Sequence, residues 1–255
     1  MSRSLFVLPT SFAIANPNPK IHMAQITSLG QCRWCGAALS KAAVSRHLAA
    51  CAKTKSSSAP SLAGKKARGP WLHVAIEGTH DPRYWLHLAV PAEAALWDLD
   101  TVLRDIWLDC CGHASSFKIG GKYFNESPWG GAESIEEAEH MDVAIGEVLG
   151  SGNRFEYEYD FGSSTWLAGR VLADFPAVFP KRAIHLLARN DPPDFRCARC
   201  GKAAKRICAQ CAWNGPGTFC DACAKEHDCG VEMLLPVVNS PRMGVCAYCG
   251  PSKEP

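Results

Sequence analysis

Five Cys-x-x-Cys pairs punctuate this 255-residue chain: Cys32/Cys35, Cys197/Cys200, Cys208/Cys211, Cys220/Cys223 and Cys246/Cys249. Cys51 and Cys229 stand near them, beside His47 and His227, so twelve of the fourteen cysteines fall in candidate ligand sets. Only Cys110 and Cys111 are left over. A two-residue gap lets both sulfurs of a tight turn face one ion at ~2.3 Å, and two such units, or one unit plus a helical His and Cys, complete a tetrahedron. A lone Cys-x-x-Cys can be a redox pair, and an even count can mean a secreted disulfide scaffold. Five pairs crowded into two short segments argue against both and point to zinc.

Cys32-x2-Cys35-x11-His47-x3-Cys51 has the spacing of a single finger and resembles the two-Cys, two-His zinc-finger families with Cys in place of the last His. The first pair sits on a knuckle ending at Gly36. Ser40 suits the N-cap of a helix over roughly 40–51. Val44, His47, Leu48 and Cys51 then share one face, so ligands and packing residues point inward together. So short a unit has little core, and the metal supplies most of its folding free energy.

The C-terminal order is Cys197-x2-Cys200-x7-Cys208-x2-Cys211-x8-Cys220-x2-Cys223-x3-His227-x-Cys229, then Cys246-x2-Cys249. Gaps of seven and eight residues are short for neighbouring knuckles to face each other, and interleaving relieves that. Cys197, Cys200, Cys220 and Cys223 then bind one ion. Cys208, Cys211 and His227 bind another, completed by either Cys229 or Cys246, with Cys249 a spare. The alternating order resembles cross-brace modules such as the MYND and ZZ fingers, although the later spacings depart from both. With the finger, this predicts about three zinc ions per chain, saturated with protein ligands and therefore structural.

Charge is uneven although the net is only +2. Residues 1–70 hold ten Lys or Arg and no Asp or Glu, residues 71–190 nine against eighteen, and residues 191–255 eight against seven. A basic arm calls for a polyanion; the competing reading lays the arm on the protein's own acidic body. Lys41 and Arg46 on the finger, with Lys53, Lys55, Lys65, Lys66 and Arg68 behind them, could hold phosphates. The finger's small outward side chains read base edges poorly. No run approaches the ~18–20 apolar residues of a membrane helix. The first 28 residues form a poor signal sequence and read as a disordered leader, with Met1 and Met23 both possible starts. Fourteen cysteines place the chain in the cytoplasm.

Residues 53–69 are rich in Ser, Ala, Gly and Lys and read as a flexible basic linker. From Trp71 the pattern changes. Leu72, Val74 and Ile76 alternate with Trp71, His73 and Ala75, and Tyr84, Leu86, Leu88 and Val90 repeat the alternation after a His80-Asp81-Pro82 turn. Pro91 opens a helix whose stripe is Leu96, Leu99, Leu103 and Ile106. Phe117, Ile119 and Tyr123 suggest a strand around Gly120-Gly121. Residues 132–142 are acidic and exposed, and Val143 to Leu149 forms a short helix. Phe155, Tyr157 and Tyr159 make a strand that Thr165 to Leu172 can pair with, and Ile184 to Leu187 adds an edge strand. This order predicts an α+β fold with a largely antiparallel sheet and helices, flanked by small zinc-stabilised modules.

Residues 70–190 resemble the plasmid pRiA-four-b ORF-three-like family. The resemblance rests on Pro82-Arg83-Tyr84-Trp85, Val90-Pro91-Ala92, Trp97-x-Leu99, Gly112-His113 leading to Phe117, Tyr157-Glu158-Tyr159-Asp160-Phe161-Gly162, and Ala188-Arg189-Asn190-Asp191-Pro192-Pro193. The segment Pro236 to Cys246 is similar to the tail of the family's zinc-bearing members and could fold back to deliver Cys246. Many members carry Trp-x-His after the Tyr-Asp-Phe-Gly turn; here Trp166 is followed by Leu167 and Ala168, so that histidine's role is not carried over. The resemblance implies an α+β fold and an association with mobile elements.

Catalysis in this region would draw on Asp109, Cys110, Cys111, His113, Tyr159 and Asp160, with a Cys–His pair as nucleophile and base. The competing reading makes Cys110 and Cys111 small core residues and Asp160 a turn residue. The sequence therefore predicts five segments: a leader (1–28), a finger (29–52), a linker (53–69), an α+β domain (70–190) and a double-zinc module (191–255). The function expected is that of a non-enzymatic, zinc-stabilised protein bound to nucleic acid or mobile elements, or else an adaptor that binds protein through its C-terminal module.

Overall fold

The computed structural model describes residues 28–58, 70–126, 138–175, 179, 183–215 and 217–251. The expected leader up to residue 27, and Lys65, Lys66 and Arg68 of the linker, lie outside them, as do the side chains of Lys53 and Lys55. Among the described residues no helix is long and apolar enough to cross a membrane.

The fold is α+β. Among the described residues ten strands form one sheet: β1 (Leu29–Cys32), β2 (Ala38–Ser40), β3 (Trp71–Gly78), β4 (Trp85–Pro91), β5 (Ser115–Ile119), β6 (Lys122–Asn125), β7 (Glu139–His140), β8 (Arg154–Tyr159), β9 (Thr165–Asp174) and β10 (His185–Asn190). Their spatial order is β2-β1-β10-β4-β3-β9-β8-β5-β6-β7. Every pairing is antiparallel except β6 with β7. A second sheet, β12-β11-β13, joins β11 (Arg206–Cys208), β12 (Thr218–Phe219) and β13 (Leu234–Pro236).

Around β1, β10, β4 and the start of β3 the large sheet is covered on both faces. Leu72, Val74 and Ile76 of β3 and Leu86, Leu88 and Val90 of β4 enter one core, beneath helix α2 (Leu96–Leu103) and the π-helical turn Arg104–Leu108. Their alternating neighbours Trp71, Trp85 and Ala89 enter a second core beneath helix α1 (Lys41–Ser58), with Val44, Leu48 and Ala52 of that helix. Period-two alternation in a strand with two buried faces gives apolar residues throughout, and all seven residues of β4 are buried.

Several elements depart from expectation. Pro91 ends β4 instead of opening a helix; α2 begins after Ala95, whose N–H donates to the Asp98 carboxylate at 2.9 Å. The segment expected as an edge strand, β10, is interior, because β1 pairs along it as Gly30–Asn190, Gln31–Arg189 and Cys32–Ala188. Helix α1 runs past residue 51 to Ser58, since no Gly or Pro interrupts it until Pro60. Cys111 is exposed rather than in the core, because the π turn brings three consecutive residues, Ile106 to Leu108, inside and ends the helix before it.

A buried polar network braces the first core. Asp100, fully buried, accepts from Ser115 Oγ at 2.5 Å, Tyr157 Oη at 2.7 Å and Arg104 Nε at 2.6 Å. Removing the carboxylate strands a largely buried guanidinium, which costs on the order of 3–5 kcal/mol. Asp100→Ala should lower the urea midpoint accordingly, with the slope unchanged.

The second core holds a histidine pair: His73 Nε2 and His87 Nδ1 lie 2.8 Å apart. Burial pulls His73 down to about 4; burial, His73 and Lys41 pull His87 down to about 3. Both rings are therefore neutral when folded. Between the ordinary pKa near 6.5 and these depressed values the unfolded chain binds more protons, so stability is full above pH 6.5 and is lost as pH falls. At pH 5.5 the pair costs roughly 3 kcal/mol. A His73→Phe/His87→Leu variant should lose less stability than wild type between pH 7.5 and 5.5 in denaturant titrations.

Candidate metal centres

Three clusters assemble from the predicted ligands. Cys32 ends β1, Cys35 follows on the knuckle, and His47 and Cys51 project from successive turns of α1. The knuckle closes by Gly36 N–H to Cys32 O at 2.9 Å, and Gly36 sits at a left-handed φ of 70° that favours glycine. Cys197 repeats the construction: Gly201 N–H donates to Cys197 O at 2.9 Å, again with φ 70°. Cys197 and Cys200 meet Cys220 and Cys223, the latter on the short helix α4 (Asp221–Ala224). Cys208, at the end of β11, and Cys211 meet His227 and Cys229. The interleaved pairing expected from the gap lengths is therefore the one formed, and Cys229 takes the position left open between it and Cys246.

Within each cluster the four ligand atoms lie within 4.8 Å of one another. Tetrahedral zinc with sulfur at ~2.3 Å and nitrogen at ~2.0 Å requires sulfur–sulfur edges of about 3.8 Å and sulfur–nitrogen edges of about 3.5 Å. Cys200–Cys220 is 3.6 Å and Cys211–Cys229 3.7 Å, while His47 Nε2 lies 3.3 Å from Cys35 and His227 Nε2 3.5 Å from Cys211. A disulfide needs ~2.05 Å, and none of the fourteen cysteines forms one. The donor sets thus fit a metal ion at each cluster, and one thiol in each (Cys32, Cys197 or Cys208) is buried.

Thiols so close cannot all ionise without a cation. Hydrogen bonds from the backbone N–H groups of Cys220, Cys200 and Arg199, against the opposing effect of burial, bring Cys197 down to about 6. Burial opposes ionisation of Cys208, yet the N–H of Cys211 and the His227 ring bring it to about 7. Burial and the neighbouring thiols push Cys211 up to about 12, and Cys220 and Cys200 push Cys223 up to about 12. Burial and the pair Cys32/Cys35 push Cys51 up to about 11.

Not every candidate ligand joins these clusters. Cys249 lies in none of them; its Sγ is 3.3 Å from Ala247 O. Cys246 lies instead with Cys110, Cys111 and His113. In the sequence the only signal of the last three is the close Cys-Cys-x-His spacing of residues 110–113. Among the phosphate candidates, Lys41 is paired with Glu77 and donates to Pro82 O at 2.8 Å, whereas Arg46 is exposed.

Comparison with known proteins finds a similarity in the middle of the chain. Residues 70–168 match the family described as Plasmid pRiA4b ORF-3-like protein. No curated protein matches. Among solved structures, a protein of unknown function from Methanosarcina mazei Go1 is similar at 15% identity and TM-score 0.40, over 49% of this chain and 72% of that one.

Metal uptake must displace the protons held on Cys51, Cys211 and Cys223. Zinc binding to the apoprotein should therefore release protons at pH 7 and weaken steeply toward pH 5.5, as measured by calorimetry in buffers of different ionisation enthalpy. Cys229→Ser should remove one zinc ion, and Cys249→Ser none.

Proposed function

We propose that this protein is a metal-scaffolded adaptor that binds a segment of another protein through its C-terminal module and has no catalytic activity of its own. One observation carries the reading. Among the described residues five large hydrophobic side chains are exposed, and three of them, Trp213 (66%), Val231 (81%) and Met233 (37%), belong to this small module. Val231 also lines a groove of about 510 Å³ together with Leu234, Ala224 and the charged Arg206, Asp221 and Lys225. An apolar floor with a mixed-charge rim suits an extended peptide that has one apolar anchor. The clusters support a structural role for the metal, because four protein ligands leave no position open for water or substrate.

A second reading, nucleic-acid contact, draws on the acid-free charge of residues 1–70 and the exposed Arg46. It is weakened by the pairing of Lys41 with Glu77.

Immobilised zinc-loaded full-length protein should enrich, from a random peptide library, sequences sharing an apolar anchor. Val231→Asp should weaken them at least tenfold without changing zinc content. Enriched peptides that bind the variant equally well, or no enrichment at all, would sink the adaptor reading. Binding of a labelled oligonucleotide that falls steeply with salt and weakens in Arg46→Ala would favour the second.

A further inference from the structure

The fourth cluster lies apart from the three sites read from sequence, and its ligands are distant from one another along the chain. Cys110, Cys111 and His113 follow the π-helical turn of the sheet domain, whereas Cys246 comes from the chain's return beyond the C-terminal module. We propose that these four residues form a fourth zinc site, a clasp that fastens the returning segment to the sheet domain.

The four ligand atoms lie within the same 4.8 Å limit as those of the other clusters, and His113 Nε2 is 3.2 Å from Cys246 Sγ. Since Nε2 faces the sulfurs, Nδ1 is turned the other way, toward Asp160 Oδ1 at 3.6 Å. A metal-binding histidine commonly presents its far nitrogen to a carboxylate, which fixes the tautomer and raises the basicity of the ligating nitrogen. Asp160 is itself held from three sides: by Arg242 Nη2 at 2.6 Å and by the N–H groups of Gly162 and Ser163. Arg242 Nη2 also donates to Cys110 Sγ at 3.5 Å.

The loop bearing the first three ligands is equally fixed. Tyr159 Oη donates to Asp109 Oδ1 at 3.1 Å and accepts from His113 N–H at 3.3 Å, and Gly112 turns the chain with φ 69°. On the other strand of the clasp, Cys246 adopts a φ of 48°, uncommon for a side chain with Cβ. A nucleophile–base pair would need only one sulfur beside His113. Three sulfurs and a carboxylate-backed imidazole converging on one point form a ligand set.

The segment has a clear mechanical role. The C-terminal module leaves the sheet after Asn190 and returns at Asn239, and these two side chains bond each other's amide and backbone oxygens at 2.7 and 2.9 Å. Beyond Asn239, Ser240 Oγ donates to Trp107 O at 2.6 Å, and Arg242 is wholly buried. A metal ion at Cys246 closes this return with coordinate bonds.

Native mass spectrometry of the full-length protein, purified with zinc, decides the matter. Wild type should carry four zinc ions, while Cys246→Ser, Cys111→Ser and His113→Ala each carry three and Cys249→Ser keeps four. Cys111 and Cys246 are exposed, so their variants fold even if His113→Ala does not. Amides 243–251 should exchange hydrogen at least tenfold faster in Cys246→Ser than in Cys249→Ser. Three ions in wild type, four in Cys246→Ser or Cys111→Ser, a disulfide among these cysteines, or unchanged exchange would overturn the clasp. None of these outcomes depends on peptide binding.

Discussion

Arg242 carries a full positive charge at a position with no access to solvent, and much of the molecule is arranged to meet it. Its guanidinium donates to Asp160, to Ser163 O at 3.2 Å and to Thr165 Oγ1 at 3.1 Å, and lies over the Tyr159 ring at 4.8 Å. Leaving such a charge unpaired would cost several kcal/mol. Burial alone would raise the Asp160 carboxyl, but the bonds from Arg242 and Ser163 hold it below its usual range. The turn from Asp160 to Thr165 and the end of β8 are therefore organised around a residue that arrives from the far end of the chain.

This arrangement gives the Tyr157-to-Gly162 segment a structural meaning. Its inward hydroxyls serve different partners, Tyr157 the buried Asp100 and Tyr159 the loop before His113. Its outward glutamates remain on the other face, where Glu158 accepts from Ser164 Oγ. One strand thus links the helix above the core, the loop of Cys110 to His113 and the returning C-terminal segment.

The other face of the sheet depends on the N-terminal finger. Trp34 stacks on Phe175 and Phe179, each at 5.7 Å between ring centroids. Trp85 Nε1 donates to Ser28 Oγ at 2.9 Å. The knuckle, with Cys32 and Cys35 facing His47 and Cys51, lays α1 over an aromatic layer containing the paired histidines. A metal ion held at Cys32, Cys35, His47 and Cys51 would therefore brace the burial of the sheet's second face.

Cysteine spacing alone pointed to the finger, to the Cys197, Cys200, Cys220 and Cys223 cluster, and to Cys208, Cys211 and His227 of the second C-terminal cluster, because ligand geometry is local and a tetrahedron admits few ways to satisfy it. Hydrophobic alternation determined most strands and the α2 stripe, since a half-buried strand or helix writes its period into the chain. Neither could place β1 beside β10, because Leu29–Cys32 pairs by backbone hydrogen bonds that carry no side-chain signature. The choice of Cys229 over Cys246 likewise followed from where the chain returns. Cys110 and Cys111 looked like spare core residues because nothing local showed that Cys246, more than 130 residues away, would be carried back to them. The anchoring of Asn239 on Asn190, of Ser240 on Trp107 and of Arg242 on Asp160 brings that distant sulfur to His113, and such contacts exist in the tertiary structure alone.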